Sequence, residues 1–273
     1  MKIYKIIKNN LSQIIALIEK NLKLSIRFKF NLILSLINPL VMILMPLIIM
    51  NKLFEFNTQF GTWTKENFMV YQFLAYNIFL LMGLTDTFGA QFAQEKYWKT
   101  LQALIIAPFN RFNLLFGIFI PHIIIISIPF TIFLILTYIY YPISFITLIF
   151  IIFIYFLIAL IFSGIGLILG IFIVSNENAF YVLKFSLNIV FWLSCISYPF
   201  QLFPSFIQQI INLNPLYYVF EILRLTWIED DIVFSITSHA FHFYVLIIIS
   251  TLLPCIGVYI FNIIYKKYGI VGY

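Results

Sequence analysis

Few side chains in this 273-residue chain could do chemistry, and most of them sit far apart in sequence. The histidines are His122, His239 and His242, and a helix would place the last two on one side near the acidic run Glu229-Asp230-Asp231. That grouping is a conceivable metal site. A bound ion needs three or four fixed ligands, however, and histidines at a membrane interface explain the pair more simply. Asp86 is the one acidic residue inside a long apolar stretch, where a charge is a functional candidate by default. It lies within about two helical turns of the end of that stretch, so interfacial solvation or a packing hydrogen bond accounts for it equally well. Cys195 and Cys255 fall inside apolar stretches and read as free thiols. Asp86, Glu221, Arg224 and the histidines would have to form the site of any membrane-embedded, lipid-modifying enzyme. Intramembrane enzymes gather polar groups at one depth, and these are scattered. No catalytic residue, bound cofactor or metal is therefore expected. The chain has no Gly-x-x-x-x-Gly-Lys-Ser/Thr loop, so it does not itself use ATP in the usual way.

What surrounds these residues is almost entirely apolar: 63% of the chain is hydrophobic and 10% charged. No soluble fold hides that much apolar surface. Crossing a hydrocarbon core about 30 Å thick takes roughly 20 apolar residues as a helix. Six stretches qualify, near Leu32–Met50, Phe68–Phe88, Leu114–Thr137, Phe145–Val174, Phe180–Pro199 and Phe241–Ile264. They are continuous rather than alternating, which argues against a β-barrel. The expected fold is one all-α integral membrane domain over residues 1–273. Its non-spanning parts are an interfacial segment (1–31), a loop (94–110) and a segment between spans five and six (199–240).

The charge of +6 is informative by location, since 13 of the 16 basic residues fall on one side of this layout. Only Lys52, Lys65 and Arg224 fall on the other. Positive loops stay in the cytoplasm, so both termini are expected there, with basic side chains toward lipid headgroups rather than nucleic acid. No signal peptide is evident. Leu11, Ile14, Ile15, Ile18, Leu22 and Ile26 recur at helical spacing and predict an interfacial amphipathic helix. Pro39 and Pro46 interrupt the hydrogen-bond ladder of the first span, which is expected to pack against protein. Ser163, Gly164, Gly166 and Gly170 form a small-residue stripe suited to close helix packing. Between spans five and six, Pro199, Pro204 and Pro215 divide an aromatic-rich stretch into short helices that would dip into the membrane or rest on its outer face. The run Glu229-Asp230-Asp231 reads as solvated.

The loop after the second span carries the one specific pattern: Glu95-Lys96-x-Trp98-Lys99-Thr100-Leu101-x-x-Leu104, then Pro108, Arg111 and Gly117. It resembles the cytoplasmic signature of ABC-2-type exporter permeases, roughly Glu-Arg-Glu-x-Gly-Thr-Leu-Glu-x-Leu followed by Pro, a basic residue and Gly. Tyr97, Lys99 and Gln102 depart from that pattern and make the surface more basic. Asn214-Pro215-Leu216 and the basic tail Lys266-Lys267 are also similar. The resemblance implies the membrane subunit of an ATP-driven exporter in the plasma membrane, paired along spans one and five as a homodimer or heterodimer. It implies a separate ATPase subunit holding ATP and Mg, and a lipophilic or amphiphilic cargo such as a drug, a lipid or a lipid-linked glycan. In that picture the loop is a coupling helix. Trp98, Leu101, Leu104 and Ile105 would seat in the ATPase, with Glu95 and Lys99 at the rim. The other readings are the lipid-modifying enzyme and a secondary transporter, which would need charged or broken-helix sites at mid-membrane.

Overall fold

The computed structural model describes residues 2–98, 111–175 and 177–268. The helices are α1 (Lys2–Arg27), α2 (Lys29–Phe56), α3 (Phe68–Tyr97), α4 (Arg111–Tyr140) and α5 (Phe145–Ser175). They continue with α6 (Glu177–Trp192), α7 (Ser205–Asn212), α8 (Pro215–Glu229), α9 (Ile232–Ser238) and α10 (Ala240–Tyr268). A short hairpin, β1 (Gln59–Phe60) and β2 (Trp63–Thr64), turns at Gly61 and holds the only strands among the described residues. Asn67 holds that turn by accepting from Thr64 N at 2.7 Å and donating to Thr62 O at 2.9 Å. Trp63 then buries its ring edge-on to Tyr71, closing the N-terminal end of α3.

Among the described residues, five helices are long and apolar enough to cross a membrane: Leu32–Phe56, Phe68–Gln94, Leu115–Tyr140, Phe145–Ile173 and Ala240–Ile263. The fifth stretch expected from the sequence folds shorter, as the 16-residue α6. It stops at Trp192, and residues 193–198 follow as turns. α3 is the hub. It packs against α2, α4 and α5, and its spanning window is 72% buried, against 17% for α2. α5 lies between α3 and α10, and glycines set both approaches. A Cβ on Gly164 would lie 2.5 Å from Pro254 N of α10, and one on Gly166 would lie 2.9 Å from the Thr85 Cα of α3. Both distances are shorter than van der Waals contact, so the helices meet backbone to backbone at these two positions.

α2 stays helical through Pro39 and Pro46. One turn before the first proline, the Tyr76 hydroxyl donates to Leu36 O at 3.2 Å and ties α2 to α3. α2 meets α3 along one side only and leaves Val41, Met42, Leu44, Met45, Ile48 and Ile49 exposed. α1 docks along α4 through Leu17, which lies over Gly117, and through buried amides. Asn21 Nδ2 donates to Gly117 O at 2.7 Å, and Asn113 Nδ2 donates to Gln13 Oε1 at 2.8 Å. Gln91 of α3 donates to Asn21 Oδ1, so α1 straps α3 to α4. Its residues Leu11, Ile15 and Ile26 face outward.

Candidate functional site

The loop pattern begins on the last turn of α3. Glu95 and Lys96 are helical there, and Lys96 Nζ donates to Ile173 O at 3.4 Å. Trp98 caps the helix and is 43% exposed. Lys99, Thr100, Leu101, Leu104, Ile105 and Pro108 lie outside the described residues. Beside this end of α3 is a shallow groove of about 390 Å³ lined by Ala93, Lys96, Tyr97, Ile173, Phe180 and Tyr181. Two turns further along α3, Asp86 Oδ1 accepts from Lys184 Nζ of α6 at 2.7 Å, with the two side chains 63% and 42% exposed. Asp86 therefore has a partner, and the pair sits on an open face shared by α3 and α6.

The second concentration of polar groups gathers around Glu221 and Arg224 on α8. α8 is not peripheral: Leu216, Val219, Phe220, Ile222, Leu223 and Trp227 are buried, and it packs against α3, α5 and α10. Asn214 starts it with its side chain accepting from Leu216 N, and Pro215 takes the first helical position, where its missing N–H costs nothing. The Asn214 amide also donates to Val190 O of α6 at 2.7 Å. Arg224 is fully buried. Its guanidinium lies 3.8 Å from the Tyr71 ring centroid, bonds Ile196 O at 2.6 Å and pairs with Glu221 Oε2 at 3.4 Å. Burial pushes the Glu221 carboxyl above its ordinary range, and Arg224 opposes that shift. Pro199 and Pro204 bracket a short 3₁₀ turn, and Pro204 precedes α7.

The acidic run is exposed at Asp230 and Asp231, as the sequence suggests, and each of its members also makes a contact. Glu229 pairs with His239 Nε2 at 2.8 Å and accepts from Ser235 Oγ. Asp230 takes a left-handed conformation and accepts from Ser144 N ahead of α5, while Asp231 caps α9 through Phe234 N. Among the described residues no three metal-ligating side chains converge. Tyr71 and Gln72 were not singled out from the sequence, although a glutamine in an apolar run was a visible signal.

Of the predicted positions, the structure brings Glu221 and Arg224 together. It keeps Asp86 apart from them and sets Gly164, Gly166 and Gly170 in the contacts of α5 with α3 and α10. The Arg224 cluster divides its donors between the Ile196 carbonyl and the Glu221 carboxylate, an arrangement that ties α8 to the turn after α6. Compared with known protein families, the chain matches the one described as ABC-2 type transporter over residues 12–227, from α1 to the last turns of α8. No curated protein matches it.

Proposed function

Because the chain belongs to the ABC-2 type transporter family and is a multi-pass membrane permease of that kind, we propose that it forms half of the translocation pathway of an ATP-driven exporter. A separate ATPase subunit docks on the loop 94–110, and both termini face the cytoplasm of a plasma-membrane protein. The observation that carries this reading is the Asp86–Lys184 pair. It is exposed on two helices about 11 Å inside the cytoplasmic end of a spanning segment. A charged pair there is costly against lipid tails and is tolerated where it faces water or protein. A second permease covering the open side of α2 and α6 would enclose that face as an aqueous vestibule. α6 and the turns after it would then complete a sixth crossing. Apolar aromatic walls with one ion pair suit an amphiphile with a polar head, such as a lipid-linked glycan or a lipophilic drug. ATP and Mg stay on the partner.

The test is purification in mild detergent, which should recover an ATPase near stoichiometry with the permease. Leu101→Asp should abolish that recovery, since a charge in an apolar cleft is left unpaired and desolvated. Lys99→Ala should weaken it mildly and in a salt-dependent way. Undiminished recovery with Leu101→Asp would remove the loop from its role, and a chain that never co-purifies with an ATPase would overturn the exporter reading.

A further inference from the structure

The carbonyls of Cys195, Ile196, Ser197 and Tyr198 form an unbroken run just after α6, and a side-chain donor meets each of them. The Tyr71 hydroxyl reaches Cys195 O and, at 2.8 Å, Tyr198 O. Gln72 Nε2 donates to Ser197 O at 2.8 Å, and Arg224 Nη2 donates to Ile196 O at 2.6 Å. A hydroxyl has one proton, so Tyr71 serves its two carbonyls alternately while its ring carries the guanidinium of Arg224. Backbone outside helix or sheet must find partners when buried in a membrane protein. The four carbonyls of this turn find theirs on α3 and α8.

We propose that Tyr71, Gln72 and Arg224 are positioning residues that clamp the turn to α3, so that the external segment moves with α3 as one body. This rests on the transport reading above. Two observations support it beyond the bonds themselves. α3 contains no proline, unlike α2, α4 and α10, and runs unbroken from Tyr71 to the start of the coupling loop, a rise of about 39 Å. Cys195 also holds φ +55°, a left-handed conformation that a residue with a Cβ keeps only where its surroundings impose it. A displacement begun at the ATPase therefore reaches the turn through a single rod, and the clamp hands it to α7 and α8.

The experiment uses the full chain with its co-purified ATPase. In a Cys255→Ser background, Cys195 is the sole cysteine and is 1% exposed. An impermeant maleimide added from outside should leave it unlabelled at rest and with ATP plus vanadate. Tyr71→Phe combined with Gln72→Met keeps side-chain volume and removes two donors, and should raise the labelling rate about tenfold or more. In a second arm both cysteines are replaced by serine, and Leu213→Cys, an 83% exposed position beyond α7, reports on the external segment. Its labelling should change between the resting and vanadate-trapped states. The double variant should lose that change while ATP hydrolysis continues, which a purely structural role would not produce. If the double variant does not elute as a single species, Gln72→Met alone serves, with about a threefold effect expected. Protected Cys195 and an intact nucleotide response in the variants would overturn the clamp. Unaltered Leu213→Cys labelling in the parent, with no ATPase recovered, would overturn the transport reading instead, and the clamp is then judged on Cys195 alone.

Discussion

Arg224 and Glu221 form a buried pair with unequal support. Arg224 also holds a carbonyl and an aromatic ring, whereas Glu221 contributes chiefly the counter-charge. Removing the guanidinium in Arg224→Met leaves a buried carboxylate without a partner, a change of about 3–5 kcal/mol. Glu221→Gln should cost less, because the carbonyl and the ring still hold the cation. Thermal unfolding in detergent checks the order, and equal losses would mean that the ring and carbonyl contribute nothing. At the exposed pair, Lys184→Ala should shift stability by no more than about 1 kcal/mol, as partly solvated ion pairs do. Any larger loss would place Asp86 in a drier setting than its 63% exposure indicates.

At the scale of elements, the α5 contacts discriminate sharply between glycines. Gly164→Ala puts a methyl 2.5 Å from Pro254 N, which is backbone and cannot swing aside, so α5 and α10 must part. A loss of about 1–3 kcal/mol is expected, read as an earlier unfolding midpoint. Gly89→Ala is the control: its nearest neighbour is the Ile173 Cδ1 at 3.6 Å, ordinary contact, and stability should hold. The long helices were legible in the sequence because continuous apolar runs need only composition to declare themselves. The end of α6 was not. The apolar run continues past Trp192, and the turn that stops it is paid for by Tyr71 and Gln72, more than a hundred residues earlier. Both are neutral, so neither stands out in an apolar span as a charge does. Arg224 falls in an aromatic-rich, proline-broken stretch expected to dip into the membrane or rest on its outer face, and that pattern gives no sign that α8 is drawn into the bundle. The loop pattern was the plainest functional signal, and its central residues lie outside the described ones.

For the whole molecule, the distribution of basic residues predicts an orientation that can be measured. With the native cysteines replaced, a cysteine at position 230 should react with an impermeant reagent in intact cells, and one at 267 should not. Reaction at 267 would invert the topology. The strap formed by α1 bears on how the chain is made. Asn21 meets Gly117 O across 96 positions of sequence, and its other amide atom waits for Gln91. At ordinary translation speeds of 5–20 residues per second, roughly 5–20 s separate the synthesis of α1 from that of its seat. During that interval an amphipathic helix with Leu11, Ile15 and Ile26 outward is already available to the bilayer surface. The first helix made therefore waits for its protein partners, and it closes over α3 and α4 only when both have emerged.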